Sequence, residues 1–248
     1  MSARTLIISV HPMKDSFTAQ WAAASAEAAR RSGSARLIDL HAEGFDPIEH
    51  PRHYAEPGPD VMRMQDAAAR SGALPVEVAD HVAAIRAAER IIFHFPLWWF
   101  APPAMLKGWT ERVLVHGAMH SSRARFDTGP CRGKRALFCV TTGSSAAESG
   151  PDGKEGDTRL HLFALAYTLR YCGFDVAEPV IVHGVHGFHE GAARERLEAR
   201  LRAVLERQAE IVAGLDERPL LTFNADSDFE EGRLRADAPS HWPFIARE

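Results

Sequence analysis

Cysteine is scarce in this chain: Cys131, Cys139 and Cys172 are the only three, an odd number with no Cys-x-x-Cys pair, which argues against a disulfide framework. Cys139 sits in an apolar, strand-like run and reads as inert. No apolar run approaches the length of a membrane span, and the N-terminus enters Thr5-Leu-Ile-Ile-Ser-Val10 without a secretory pattern. A cytoplasmic protein that does not insert into membranes is therefore expected. Charge of one sign is also missing. The 29 basic and 33 acidic residues leave a formal net charge of −4 with no basic arm, so nucleic acid is not an expected partner. The first predicted turn has neither a Gly-x-Gly-x-x-Gly fingerprint nor a P-loop lysine, which removes support from a Rossmann dehydrogenase or a kinase. Internal repeats and low-complexity tracts are absent as well.

Apolar residues make up 46% of the chain, enough for a sizeable core. Strand-length apolar runs at Thr5–Val10, Ala35–Leu40, Arg90–Phe95, Arg135–Thr141 and Asp175–Val182 alternate with helical segments at Phe17–Arg31, Val76–Ala88, Leu160–Tyr171 and Gly191–Leu215. This alternation predicts an α/β fold with a doubly wound, five-stranded parallel sheet. Residues 1–215 are expected to form one domain. Residues 216–248, with Pro219, Pro239 and Pro243, are expected to form an extension that packs on the domain or on a partner subunit. The stretch His41–Leu74, rich in Pro, His and Gly, is expected to cross the surface or reach a partner, with a helix around Asp60–Ala69.

Three turns carry the functional signal. The first strand leads into Ser9-Val-His-Pro-Met-Lys-Asp-Ser-Phe-Thr18, where His11, Asp15, Ser16 and Thr18 precede helical residues. Hydroxyls and free helix-start amides suit a phosphate or pyrophosphate, although a plain helix cap would look the same. The third strand ends in Phe95-Pro-Leu-Trp-Trp-Phe-Ala-Pro-Pro103, and Pro102 or Pro103 can open the next helix. Trp98, Trp99 and Phe100 are candidates for a wall against a flat ligand, core packing being the competing reading. The fourth strand ends in Thr141-Thr-Gly-Ser-Ser-Ala-Ala-Glu-Ser-Gly-Pro-Asp-Gly-Lys-Glu-Gly-Asp157, whose hydroxyls and approachable amides, Ser144 among them, suit a polar heteroaromatic edge. A parallel sheet gathers all three at its carboxyl edge. Together they match the phosphate, isoalloxazine and pyrimidine edge of a flavin mononucleotide moiety.

These residues carry a resemblance. The chain resembles the flavodoxin-like NAD(P)H:quinone oxidoreductases through His11, Ser16-Phe17, Phe95-Pro-Leu97, Trp99-Phe100, Leu106-Lys-Gly-Trp109 with Glu111-Arg-Val113, Gly129-Pro130, Thr141-Thr-Gly143, Gly156-Asp157, Cys172-Gly-Phe174 and Glu178-Pro179. The similarity runs in order through roughly residues 4 to 230. It implies the strand order 2-1-3-4-5, FAD (with FMN as the alternative) held at a homodimer interface, and ping-pong hydride transfer from NADH or NADPH to a quinone-like acceptor. By position, His11, Ser16, Phe17 and Thr18 would hold the pyrophosphate and adenosine side. Pro96, Leu97, Trp98, Trp99 and Phe100 would line the isoalloxazine, with Thr141, Thr142, Gly143 and Ser144 at its edge and Arg194 near the adenine half. Trp109 suits core or dimer packing.

The sequence departs from the family pattern at two points. The positions of the family's catalytic Tyr and His are held by Ser149 and Glu155, and an ionised Glu155 cannot stabilise negative charge. Loop amides, the Ser149 hydroxyl, Lys154 or a protonated Glu155 are the candidate substitutes. In the substrate wall formed with Trp99 and Phe100, two family tyrosines align with His120 and Ser122, and Tyr171 is placed beside them. His183-x-x-His186-x-x-His189 reads as a loop over the adenosine site, not as a metal centre. Relatives that serve potassium-efflux transporters as ancillary subunits supply a second reading, a flavin-binding regulatory subunit with weak or no turnover.

Overall fold

The computed structural model describes residues 3–241. Its sheet is built from β1 (Ala3–Ser9), β2 (Gly33–Asp39), β3 (Arg90–Pro96), β4 (Arg135–Thr141), β5 (Asp175–Val176) and β6 (Val180–Val182). The order is β2-β1-β3-β4-β5, every pairing is parallel, and β6 also lies along β4. The helices are α1 (Phe17–Ser32), α2 (Val61–Ser71), α3 (Val76–Ala87), α4 (Ala104–Val113), α5 (Thr158–Tyr171), α6 (Gly191–Glu206) and α7 (Gln208–Ala213).

Strands covered on both faces need apolar residues in succession, and β1, β3 and β4 are buried almost throughout. Alternate residues serve opposite faces. Ile91, Phe93 and Phe95 join Trp109 and the apolar residues of α3, α4 and α5, whereas Ile92 joins Trp21 of α1 and Val212 of α7. Edge strand β2 alternates in burial and runs on from α1 without a linker. Gly33 permits this, since a Cβ there would stand 2.1 Å from the Ala3 carbonyl oxygen.

A polar network crosses the α1 face. Trp21 Nε1 donates to Gln208 Oε1 (2.6 Å), Gln208 Nε2 donates to Ser25 Oγ (2.7 Å), and Ser25 Oγ bonds His94 Nε2 (2.9 Å). His94 is fully buried and its Nδ1 has no partner. Desolvation pushes its pKa down to about 3, so the ring is neutral here.

Two expectations need correction. The fifth strand is broken at Ala177-Glu178-Pro179, because Pro179 has no donor and the Glu178 amide turns to the Pro219 carbonyl (2.8 Å). The last helix divides at Arg207; α6 has no buried residue, while Gln208 and Val212 of α7 face the core. The stretch 41–74 runs largely over the surface and is anchored at a few points. Phe45 and Gln65 are buried, and the buried Arg112 of α4 donates to the Asp46 carbonyl (2.7 Å) and to Glu77 Oε1 (2.8 Å) while lying over the Phe45 ring. Beyond residue 215, Leu221 N donates to Val176 O (2.8 Å), and Phe223 lies against Phe163 and Tyr167. Residues 242–248 of the expected extension, Pro243 included, lie outside the described residues.

Candidate active site

The turn after β3 is tight and strained. Trp98 and Ala101 exchange both backbone hydrogen bonds (3.0 and 3.1 Å), and the two residues between them, Trp99 and Phe100, have φ of 51° and 60°. Turns of this kind ordinarily carry Asn-Gly, because a side chain in the left-handed region costs about 1–2 kcal/mol. Two aromatics held there are thrust outward: Trp99 is 93% exposed, and Trp98 and Phe100 are exposed as well. Strain that the local sequence does not relieve is characteristic of ligand-handling turns.

The turns on either side close on this one. The His11 ring meets Trp98 edge to face, with centroids 5.9 Å apart. His11 Nδ1 accepts from the Met13 amide (3.0 Å), which leaves Nε2 as the ring donor, and burial lowers its pKa. Ser16 caps α1, its Oγ accepting from Ala19 N at 3.2 Å. The first-turn amides of Phe17 and Thr18 have no acceptor within the helix. Phe17 stacks on Trp21, and the Thr18 side chain is buried. What this turn offers an anion is therefore amides and the His11 ring rather than its hydroxyls.

On the other side, Leu97 N donates to Thr141 O (2.7 Å), and the hydroxyls of Thr142, Ser144 and Ser149 form a chain, 3.0 Å and then 2.5 Å. The loop 183–185 is stitched to it through Gly184 N to Ser144 O (2.8 Å) and Val185 N to Thr142 O (2.9 Å). A Cβ on Gly143 would meet nothing within 4 Å, so its backbone borders open space.

The result is a two-part cleft at the carboxyl edge of β3 and β4. One cavity, about 350 Å³, includes Leu97, Phe100, Ser144, Ser149, Glu155 and His161 in its lining; the other, about 540 Å³, includes Pro96, Trp98, Thr141 and His186. Leu97, Trp99, Thr142 and Gly143 border both. Lys154, a candidate substitute, pairs instead with Glu148 (3.3 Å) on the loop surface.

Other expected residues lie apart. Ser122 and Tyr171 line a separate cavity of about 640 Å³ against the C-terminal extension, with Arg123, Arg125 and Phe126. His120 is packed between His116 and Tyr171. One chain thus does not join His120, Ser122 and Tyr171 to Trp99 and Phe100. Arg194 pairs with Glu198 on the exposed face of α6 (2.9 Å), while Arg196 and Arg200 line a neighbouring cavity with His183. His186 and His189 stack ring on ring, and His189 Nε2 bonds the Gly184 carbonyl. His161 was not anticipated. Its signal was the Gly156-Asp157 helix start, which puts the first turn of α5 at the same sheet edge as the loop before it.

Comparison with known proteins agrees with this fold. Residues 3–207 match the flavodoxin-like fold family. The NAD(P)H dehydrogenase [quinone] 1 of Cavia porcellus is 34% identical over 194 residues, covering 73% of this chain and 69% of that protein. A candidate quinone reductase from Klebsiella pneumoniae superposes with a TM-score of 0.78 at 24% identity over 90% of this chain and 89% of the other. The general stress protein 14 of Treponema denticola, solved in complex with FMN, does so with 0.60 at 21% identity over 86% and 98%. These relatives lend no support to the regulatory-subunit reading. The chain belongs to the flavodoxin-like family of the NAD(P)H dehydrogenases [quinone].

Proposed function

We propose that the chain reduces quinones or similar electrophilic acceptors with NADH or NADPH through a bound flavin, FAD in the first instance and FMN as the alternative. The observation that carries this reading is the convergence of the strained Trp99-Phe100 turn, the helix-start amides beside His11 and the Thr142–Ser144–Ser149 hydroxyl chain on one sheet edge. A flavin fits this donor set: apolar rings for the isoalloxazine, hydroxyls and an open Gly143 backbone for its polar rim, and amides for phosphate. When bound, it would supply the hydride relay from NAD(P)H to the acceptor.

The chain's own residues bind and orient. Leu97, Trp98, Trp99 and Phe100 exclude water from the ring faces. Thr141, Thr142, Gly143 and Ser144 fix the polar rim, and His11 with the amides of Phe17 and Thr18 holds the anionic end. Ser149 can pass a hydrogen bond inward through Ser144. Glu155 lines the same cavity as an acceptor, and the catalytic role of its family counterpart is not carried over to it.

We propose a homodimer as well, in which a second copy covers the exposed aromatic turn and brings His120, Ser122 and Tyr171 to it. Sedimentation or light scattering tests this; a monomer at micromolar concentration rules it out. The activity test is NADH and NADPH oxidation by flavin-loaded protein with a simple benzoquinone, with parallel double-reciprocal lines expected for a ping-pong order. Negligible turnover would sink the enzymatic reading.

A further inference from the structure

We infer that His161 is the residue that stabilises the negative charge appearing in the cleft on hydride uptake, standing in for the family pair whose positions hold Ser149 and Glu155. The inference rests on the flavin reading above. His161 is the one imidazole among the residues lining the 350 Å³ cavity, which also holds Ser149 and Glu155. Its ring packs against Phe100 with centroids 5.1 Å apart, so the same strained turn that forms the aromatic wall fixes the imidazole plane. His161 N bonds Asp157 O in the first turn of α5, and Gly156, at φ 75°, passes so close that a Cβ there would lie 3.1 Å from Nε2.

Burial decides which ring nitrogen can reach the cleft. Nδ1 is inaccessible and has no hydrogen-bond partner. With Nδ1 closed off, Nε2 is the ring nitrogen that can present an N–H to the cleft. Hydride transfer from NAD(P)H delivers two electrons and one proton and yields NAD(P)⁺, leaving one additional negative charge in the cleft until the hydride passes on and the acceptor takes up a further proton. A prepositioned N–H donor lowers the cost of that charge, whereas the Glu155 carboxylate raises it. The Ser149 hydroxyl is already engaged with Ser144.

The test is the two-electron midpoint potential of FAD bound to wild-type, His161→Leu and His161→Gln proteins, with the FAD dissociation constant and the split between kcat and KM measured alongside. Leucine should weaken the preference for the reduced over the oxidised cofactor about tenfold, a fall of about 30 mV, and lower kcat more than it raises KM for the acceptor. Glutamine, which keeps an N–H donor, should recover most of the loss. An unchanged potential in His161→Leu overturns the inference. So does an equal fall in the glutamine protein, because packing on Phe100 would then explain both. If wild-type protein takes up neither FAD nor FMN, the reading of the cleft fails, a result distinct from either of these.

Discussion

His11 and Trp98 meet edge to face with ring centroids 5.9 Å apart, so the turn that follows β1 and the turn that follows β3 form one surface. His11 also keeps Nε2 as its ring donor, since its Nδ1 is occupied by the Met13 amide. Replacing His11 with Ala is expected to weaken flavin binding by roughly tenfold, the worth of one lost hydrogen bond to a charged group. Fluorescence quenching on titration with FAD measures this, and an affinity within twofold of wild type would contradict the assignment.

The Trp99-Phe100 turn predicts a trade between stability and function. Trp99→Gly relieves a left-handed side chain at the cost of a more flexible unfolded chain. Stability should therefore stay level or rise by up to about 1 kcal/mol. Flavin affinity or acceptor turnover should fall at least several-fold. Urea denaturation beside a flavin titration separates the two; a loss of more than about 1 kcal/mol would mean that Trp99 is a packing residue after all.

His94 makes folding sensitive to acid. Its folded pKa, about 3, lies below the ordinary 6.5, so the unfolded chain binds a proton that the folded chain refuses. The stabilisation is full above pH 6.5 and falls with decreasing pH, by up to about 1.4 kcal/mol per pH unit between 6.5 and 3. His94→Gln should flatten the dependence of unfolding free energy on pH between 7 and 5 by up to one proton. A slope identical to wild type would place the acid sensitivity elsewhere.

Arg112 predicts how the long connection is held. Its guanidinium joins α4 to the Asp46 carbonyl, to Glu77 and to the Phe45 ring. Since Glu77 is half exposed, Arg112→Met should cost about 2 kcal/mol, below the range for a fully buried pair. Limited proteolysis should then cut within residues 41–60 before the core opens. Cleavage unchanged from wild type would show that α2 alone secures the segment.

Much of this protein was determined by sequence alone. Strand-length runs alternating with helical periods specify a doubly wound parallel sheet, because each crossover must return a helix to cover an apolar strand. That sheet necessarily collects the turns after β1, β3 and β4 at one edge, so the meeting of the turns that carry His11, Trp98 and Ser144 was legible in order. Tertiary structure decided what depends on packing direction. The positive φ angles of Trp99 and Phe100 are imposed by the exchanged bonds of Trp98 and Ala101, not by residue preference. Tyr171 ends α5, a helix length away from the start that lies at the sheet's carboxyl edge, and shares its cavity with Ser122 rather than with the aromatic turn. His161 enters the cleft because the α5 start turns its ring onto Phe100. A motif read along the chain marks which turn carries a group, while the orientation of a helix's first turn decides which of its side chains reaches the cavity.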